Sequence, residues 1–274
     1  MLPVNGALEL KSKDFRAIRD RLYEVSGIDL HPGKEGLVQT RLAKVLRELQ
    51  LDSFASYIEV VESDASGKEL ARMVDLLTTN KTSFYRESNH FDLMRDQILP
   101  ELFSARKPIR IWSAGCSSGE EPYTLSDVVG IVEREQGSRD LRILATDLSS
   151  RVLTRASAGI YDETILESVP ADVRRRMFEP VPGPLGQFRV RAALRSRVTF
   201  ASLNLMKPWP MRGLFDAIFC RNVMIYFDRP TQERLIQRFY SLLPPGGHLF
   251  IGHSESLTGL EHEFSYLAPA AYVK

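Results

Sequence analysis

From residue 108 onward, short apolar segments alternate with longer segments of helical periodicity, and this alternation is the strongest constraint on the fold. Uninterrupted apolar runs of strand length are typical of parallel strands that are covered on both faces. Parallel neighbours need crossover connections, which the intervening helices supply. The sequence therefore predicts an α/β domain built on a parallel sheet. The strand segments are PIRIWSAG at 108–115, LRILATD at 141–147, FDAIFC at 215–220 and HLFIGHS at 248–254, and the predicted helices between them are 120–133, 149–158 and 231–243.

The part of the chain before this alternation has only helical periodicity. Phe15, Ile18 and Leu22 recur at the spacing of one helix face. Pro32 and Gly33 mark a turn before the next periodic segment. We therefore expect an all-α domain over residues 1–82 and an α/β domain over residues 83–274. The helices predicted in the first domain are 13–23, 37–49, 54–61 and 69–77.

Residues 161–200 interrupt the α/β alternation. VPGPLG at 181–186 has turn chemistry, and QFRVRAAL at 187–194 alternates in the manner of a strand with exposed arginines. We expect a small insertion here that contains antiparallel β structure. The run from Arg174 to Arg176 indicates a solvated face, with contact to an acidic partner as the alternative.

Composition excludes several classes of protein. The 36 Lys and Arg residues balance 35 Asp and Glu residues, which argues against nucleic acid as a partner. Cys116 and Cys220 are too few for a disulfide framework. The chain has no apolar run of about 18 residues and its start lacks the pattern of a signal peptide, so we expect a cytoplasmic protein that is not inserted in a membrane. No H-E-x-x-H or paired C-x-x-C motif occurs, so we expect no metal.

A glycine-bearing loop connects the first strand to its helix. Gly115 permits a tight turn, and Gly119 permits close approach of a ligand to the backbone. Glu120 and Glu121 follow at the helix start, where they would repel a pyrophosphate. Asp147 ends the next strand, where an acid can accept hydrogen bonds from ribose hydroxyls. This arrangement suits an adenosine ligand that carries cationic groups, although a plain strand–turn–helix connection with glutamates as helix starters is the alternative.

Five segments follow one another along the chain: TTNKTSFYRE, GCSSGEEPY, ATDLS, FDAIFCRNVMIYFD and GHSES. In this order and spacing they resemble the CheR-type chemotaxis receptor methyltransferases over nearly the whole chain, from about residue 10 to 272. The resemblance implies a small helical domain joined to a Rossmann-like class I methyltransferase domain with a β insertion. It implies transfer of the methyl group of S-adenosylmethionine to glutamate side chains of bacterial chemoreceptors, which yields γ-glutamyl methyl esters and S-adenosylhomocysteine. The implied partner is the cytoplasmic helical bundle of the receptor.

The same resemblance assigns site residues. Arg86 and Tyr226 would lie nearest the transferred methyl group. An ionised glutamate needs no general base to accept a methyl group, so a bidentate arginine that orients the carboxylate is the expected device. The cofactor would be bound by Asn80, Thr82 and Arg86 around its methionine part, Gly115 in the loop, Glu121 as the binding acid, Asp147 on the ribose, Asn204 and Leu205 along the adenine, and Asn222 as a further contact.

The segment from 37 to 49 sorts into two helix faces. Leu42, Val45, Leu46 and Leu49 form an apolar arc that would pack on the protein. Arg41, Lys44 and Arg47 fall on another arc and would lie in solvent. An ordinary solvated face is one interpretation of these cations. Because the implied substrate is a glutamate-bearing bundle, we interpret them instead as residues that bind the receptor.

Two other functions fit parts of the same pattern. Base-directed methyltransferases commonly carry an Asn/Asp-Pro-Pro-aromatic loop where this chain has RNVMIY, so a nucleic acid substrate is disfavoured. A noncatalytic signalling module could keep the fold and bind receptor tails or a nucleotide. The presence of Arg86, Asp147 and Tyr226 argues against such a loss of activity.

Overall fold

The computed structural model describes residues 8–105, 107–183 and 185–274. The chain forms two compact units, one comprising the described residues up to Thr79 together with Tyr226–Asp228, and the other Asn80–Ile225 with Arg229–Lys274. The predicted boundary at 82/83 lies three residues after this division. Residues 1–7, on which the expectation of no signal peptide partly rests, lie outside the described range, as does Pro184 of the predicted turn. No helix among the described residues is long and apolar enough to cross a bilayer.

The first unit is built from helices α1 Ser12–Ser26, α2 Glu35–Glu48, α3 Phe54–Ser63 and α4 Lys68–Leu77, which confirms the predicted helices. Gly27, at φ 73°, ends α1, because this left-handed conformation is accessible to glycine without strain. The Ser53 hydroxyl begins α3 by accepting a hydrogen bond from the Ser56 N–H. Residues 226–228 join this unit through an antiparallel bridge between Ile28 and Phe227.

The prediction that Arg41, Lys44 and Arg47 all lie in solvent is wrong for Arg41. Its Nη1 donates to the carbonyl oxygens of Leu76 at 3.3 Å, Leu77 at 3.0 Å and Thr78 at 2.8 Å. The last carbonyls of a helix have no partner within the helix and attract cations, so Arg41 caps the end of α4. Lys44 and Arg47 are exposed, as predicted.

Arg41→Gln should lower the free energy of unfolding by about 1–3 kcal/mol, because the half-buried carbonyls at the end of α4 lose their donor. Lys44→Gln is the matched control, because the Lys44 side chain is 80% exposed. Its Nζ forms a surface ion pair with Glu48 at 3.8 Å, and exposed pairs of this kind contribute little to stability. Urea unfolding followed by far-ultraviolet circular dichroism measures both variants. Equal stability of the two variants would contradict the capping role.

The second unit contains a seven-stranded sheet in the order β6-β2-β1-β7-β8-β10-β9. Neighbours from β6 to β8 pair in parallel, whereas β10 runs antiparallel to β8 and β9. The four predicted strands and the helices between them are confirmed. The strands are β1 Ile109–Ala114, β2 Leu141–Asp147, β6 Val198–Ser202, β7 Ala217–Cys220, β8 His248–Ile251, β9 Ser265–Ala268 and β10 Ala271–Val273, and the helices are α7 Glu120–Gln136, α8 Ser150–Ala158 and α12 Arg229–Ser241.

A helical segment before β1, which we did not predict from the sequence, covers one face of this sheet. It consists of α5 Asn89–Leu93, a π-helical turn at Met94–Ile98, and α6 Leu99–Ser104. Its apolar residues belong to the same buried cluster as the inward residues of β1, β2 and α7. The sheet is thereby buried on this side, which accounts for the mainly apolar composition of its central strands. The buried residues of the segment are Phe91, Met94, Ile98, Leu99 and Phe103.

The insertion holds a three-stranded antiparallel sheet in the order β3-β5-β4. Antiparallel structure was predicted, but the predicted end at residue 200 is wrong. Val198–Ser202 forms the edge strand β6 and pairs with β2 from Ile143 to Asp147. VTFAS has the β-branched and aromatic composition of any strand, so only tertiary pairing decides which sheet it joins. The elements of the insertion are β3 Ile160–Asp162, α9 Glu163–Leu166, α10 Ala171–Met177, β4 Phe178–Pro180, β5 Gln187–Val190 and α11 Ala192–Arg195.

The solvated face predicted for Arg174 to Arg176 is wrong for Arg176. Its Nη2 lies 2.7 Å from Oδ2 of Asp127 in α7, and the Asp127 side chain is only 1% exposed. A carboxylate buried to this extent needs a charged or hydrogen-bonding partner, which Arg176 supplies. Local sequence pattern does not indicate that Asp127 is buried beside this arginine.

Candidate active site

The loop after β1 requires glycine. Gly115 and Gly119 have φ values of 83° and 97°, where side chains other than glycine are strained. A Cβ atom at Gly115 would lie 2.4 Å from Cγ2 of Val223, so no side chain fits between these segments. The N–H groups of Gly115 and Cys116 both donate to the Thr146 carbonyl oxygen, which joins the loop to the end of β2.

Asp147 stands at the carboxyl end of β2 in a fixed orientation. Its Oδ2 accepts a hydrogen bond from the Ser117 N–H at 2.8 Å, and its Oδ1 accepts one from the Ser149 N–H at 2.9 Å. The Asp147 carbonyl oxygen accepts a hydrogen bond from the N–H of Leu203, just before Asn204 and Leu205. The acid predicted to bind the ribose thus lies beside both the glycine loop and the segment predicted to line the adenine.

The polar segment that carries Asn80, Thr82 and Arg86 reaches the same loop. The Ser117 hydroxyl donates to the Asn80 carbonyl oxygen at 3.1 Å. Arg86 donates from Nη1 to the Lys81 carbonyl oxygen at 2.7 Å, and its Nε lies 3.9 Å from Oε1 of Glu87. The positions on either side of Arg86 have positive φ values, 55° at Tyr85 and 56° at Glu87. Such strained residues are concentrated at functional sites.

A buried arginine that the sequence reading did not assign joins these segments. The side chain of Arg221, directly after β7, is 2% exposed. Its Nη2 lies 3.0 Å from Oε2 of Glu87, and its Nη1 lies 3.1 Å from Oε2 of Glu121. Arg221 also donates to the carbonyl oxygen of Arg86. Burial acts to raise the pKa of Glu87, but the hydrogen bond and charge of Arg221 outweigh it and hold this pKa below its usual value.

The predicted cofactor residues Glu121 and Asn222 both belong to this network. Oε1 of Glu121 accepts a hydrogen bond from the Ser113 hydroxyl at 2.7 Å. Asn222 donates from Nδ2 to Oε1 of Glu87 at 3.3 Å. The neighbouring Glu120 turns inward, where the Ser118 hydroxyl donates to it and burial raises its pKa. Of the two acids at the start of α7, only Glu121 therefore joins the network of Arg221.

Glu255, within the GHSES segment, fixes the loop that follows β7. It accepts hydrogen bonds from the N–H groups of Asn222 at 2.9 Å, Ile225 at 3.1 Å and Gly252 at 2.5 Å. Burial nevertheless raises the pKa of Glu255. Arg221, Glu87 and Glu255 were all missed as functional residues. The available signal was a charged residue directly after a fully apolar strand, because Arg221 follows AIFC.

Three other sets of predicted residues have no described hydrogen bond to this network. Tyr226 belongs to the helical unit, where its carbonyl oxygen accepts a hydrogen bond from the Asp29 N–H. Its pairing with Arg86 at the reacting methyl group stays a prediction. Lys44 and Arg47, which were predicted to bind the receptor, also belong to the helical unit, and Arg41 caps α4 there. Leu205 is buried, and its carbonyl oxygen accepts hydrogen bonds from Arg238 at 2.5 Å and from Trp209 at 3.2 Å.

One group of side chains has the spacing of metal ligands. Ligand atoms of Glu87, His90 and His253 lie within 4.8 Å of one another. Burial lowers the pKa of His90 to about 4, and its Nε2 lies 3.1 Å from the Pro269 carbonyl oxygen. However, Glu87 already pairs with Arg221, whose positive charge opposes binding of a cation. That the activity needs no metal stays a prediction.

The donor set fits S-adenosylmethionine. Asp147 presents a carboxylate that two backbone N–H groups orient, which suits ribose hydroxyls. The Glu121 carboxylate could bind a cationic group of such a ligand, and Gly115 is required because Val223 occupies the place that a side chain would take. A parallel sheet with a glycine loop after one strand and an acid ending the next is typical of nucleoside-binding Rossmann-like domains, which include the class I S-adenosylmethionine-dependent methyltransferases.

Within this class, the chain belongs to the CheR methyltransferase family. Residues 80–273 match the CheR methyltransferase SAM binding domain, and residues 13–78 match the CheR methyltransferase all-alpha domain. The chain is 43% identical over 256 residues to a probable chemotaxis protein methyltransferase of Rhizobium etli, covering 92% of this chain and 96% of that protein. It is 43% identical over 266 residues to chemotaxis protein methyltransferase 2 of Pseudomonas aeruginosa, covering 95% and 93%. It is 39% identical over 281 residues to the chemotaxis protein methyltransferase of Escherichia coli, covering 99% and 94%.

Arg221→Met should lower the free energy of unfolding by about 3–5 kcal/mol, because it leaves the carboxylates of Glu87 and Glu121 in a buried place without their cation. Arg229→Met is the control, since Arg229 is exposed and forms a surface ion pair with Glu233. Denaturant unfolding of both variants at neutral pH measures the difference. A loss no larger than that of the control would mean that the buried pairs contribute little.

The pH dependence of the free energy of unfolding provides a second test of the same ion pairs. In the native protein Glu87 has a lowered pKa, so it contributes stability above its unfolded pKa of about 4.3 that is lost as the pH falls. In Arg221→Met the hydrogen bonds from Asn222 and from the His253 N–H remain, but burial, which is the largest effect, is no longer offset by Arg221. The pKa of Glu87 should therefore rise, which penalises its charged form at neutral pH. The stability gap between native and variant protein should therefore narrow from pH 7.5 towards 5. A gap that stays constant over this range would contradict the assignment.

Proposed function

We propose that this protein transfers the methyl group of S-adenosylmethionine to glutamate carboxylates of bacterial chemoreceptors, forming γ-glutamyl methyl esters. One observation carries the proposal. The segment that contains Arg86 is joined to the predicted cofactor site, because Ser117 of the glycine loop binds the Asn80 carbonyl oxygen and Arg221 binds the Arg86 carbonyl oxygen. This arrangement brings a residue suited to orient a carboxylate next to residues suited to hold the cofactor. The names of the related chemotaxis protein methyltransferases support the receptor as substrate.

Asp147 would bind the ribose hydroxyls, and Glu121 would bind the ammonium group of the methionine part. Asn80, Thr82 and Asn222 offer further polar contacts. The cofactor supplies an electrophilic methyl group on a positively charged sulfur. The receptor glutamate is already ionised at neutral pH, so the protein has to orient it and exclude water rather than remove a proton. Arg86 would orient this carboxylate through its guanidinium, and Tyr226 would donate a hydrogen bond.

Methyl transfer to receptor glutamates is the direct test. Incubation with radiolabelled S-adenosylmethionine and receptor membranes should label the receptor, and the label should be released by mild base, as an ester is. Replacing the receptor glutamates by glutamine should abolish labelling, because an amide is a poor nucleophile. Labelled glutamine would rule out ester chemistry, and an intact cofactor-binding protein that labels nothing would favour the noncatalytic alternative.

Asp147→Ala should weaken binding of S-adenosylhomocysteine. Loss of a charged acceptor costs about 1.5–3 kcal/mol, which corresponds to roughly a tenfold to hundredfold rise in Kd. Calorimetric titration measures the change, with Asp140→Ala as the control, because Asp140 is exposed just before β2 and pairs with Arg110. If a folded Asp147→Ala variant bound the ligand as tightly as the control, the ribose would have to bind elsewhere.

The double change of Lys44 and Arg47 to Ala should raise the apparent KM for receptor severalfold at low salt, because exposed cations attract an acidic partner during encounter. Arg41 is left intact because it caps α4. The effect should shrink as ionic strength rises, since salt screens exposed charges. The control removes two exposed cations near the amino ends of β1 and β2, Lys107 and Arg142. An equal rise in KM in both variants would mean that the face does not bind the receptor.

A further inference from the structure

The residues directly before Arg86 are packed into the insertion. Phe84 is buried in an apolar cluster that otherwise consists mainly of residues of the insertion. Its ring makes edge contacts with Tyr161, at a centroid distance of 4.9 Å, and with Phe178, at 5.0 Å. These partners lie in β3 and β4. The insertion thus supplies the core that holds the beginning of the Arg86 loop.

Tyr85 is held in a different way, through the buried ion pair of Asp127 and Arg176. The Tyr85 hydroxyl donates to Oδ2 of Asp127 at 2.5 Å, and its backbone N–H donates to Oγ1 of Thr124 at 3.2 Å. Arg176, in α10 of the insertion, donates to Asp127 from Nε and Nη2 at 2.8 and 2.7 Å. Burial and the charge of Asp127 raise the pKa of Tyr85, so its hydroxyl keeps the proton that it donates.

The backbone of this loop needs such support. Tyr85 and Glu87 have left-handed φ values, which bulky or charged side chains adopt at a cost in free energy. Conformations of this kind persist only where surrounding contacts determine them. Glu87 is fixed from the other side by Arg221 and Asn222. Arg86 therefore lies between two anchored residues, and one of the two anchors depends on the insertion.

We propose that the insertion positions Arg86 for methyl transfer, through Phe84 in its apolar core and through the chain of contacts from Arg176 to Asp127 to Tyr85. This proposal rests on the proposed function, in which Arg86 orients the receptor carboxylate. Tyr85, Asp127 and Arg176 are positioning residues that act through Arg86. A change in the insertion would then alter turnover while leaving cofactor binding intact.

Two variants of the full-length protein break this chain of contacts. Tyr85→Phe removes one hydroxyl and keeps the ring, and Arg176→Gln removes the ion pair. Arg175→Gln is the matched control, because Arg175 is the exposed neighbour on the same helix and carries the same charge. Tyr85→Phe and Arg176→Gln should each lower kcat at saturating receptor roughly tenfold, because small misplacements of an orienting group slow reactions strongly. The Kd for S-adenosylhomocysteine should match that of the control, and Arg176→Lys should recover part of the lost kcat.

The double variant tests whether the two residues act as one chain of contacts. If they do, Tyr85→Phe combined with Arg176→Gln should be little slower than the worse single variant, whereas independent effects would multiply. Amide hydrogen exchange over residues 84–88 gives a readout that needs no activity, and it should be faster in both single variants than in Arg175→Gln. If Arg176→Gln is poorly folded, hydrogen exchange over residues 84–88 in Tyr85→Phe alone decides whether the positioning role holds.

Methyl transfer by the native protein bears on the proposed function alone. If the native protein methylates receptor and Tyr85→Phe does so at the same rate, the positioning role is overturned and the proposed function stands. Equal losses in kcat, cofactor affinity and melting temperature would also overturn it, since they would show a purely structural role. Unchanged hydrogen exchange over residues 84–88 in Tyr85→Phe would overturn it whether or not the native protein is active.

Discussion

The candidate active site depends on one buried cation. Arg221 lies between Glu87 and Glu121, whose carboxylates would repel each other without it. A buried arginine needs charged or hydrogen-bonding partners, and Nη1 and Nη2 of Arg221 find them in segments that are far apart in sequence. It thereby ties the segment before α5 to the start of α7 and to the end of β7. The position of the Arg86 backbone follows from this constraint, because Arg221 also binds the Arg86 carbonyl oxygen.

Unusual backbone conformations surround the same network. Tyr85, Glu87, Ser117 and Asn222 all have positive φ values without being glycine. Each is stabilised by a specific contact: Thr124 on the Tyr85 N–H, Arg221 on Glu87, Asp147 on the Ser117 N–H, and Glu255 on the Asn222 N–H. The polar groups at the carboxyl edge of the sheet thus serve two purposes at once. They hold the loops in strained conformations, and they leave the site with carboxylates and amides that suit a cationic nucleoside ligand.

The sequence predicted those parts of the molecule that local pattern determines. Strands β1 and β2 could be found because sheets covered on both faces favour mainly apolar strands, and Asp147 could be placed because it ends such a strand. The partner of β6 could not be predicted, since VTFAS fits the edge of either sheet. A related reason explains why two arginines, Arg41 and Arg176, were wrongly predicted to lie in solvent and why Arg221 was not assigned to the site. Their partners lie 37, 49 and 100 positions away, and helix or strand periodicity contains no information about contacts at that separation.

Within the second unit, Arg176 and Arg221 also show that different parts of the site are held by different kinds of contact. The sheet edge fixes Asp147 and the glycine loop through backbone hydrogen bonds, which depend on strand register and tolerate changes of surface residues. The Arg86 loop has no such regular partner, because it precedes the sheet and has left-handed residues on both sides of Arg86. Side chains therefore make the contacts that tie this loop to its surroundings, Arg221 on one side and the insertion with Arg176 on the other. A side-chain anchor can be loosened by a local change in a way that a strand cannot, so the group that would orient the substrate is the more adjustable part of this site.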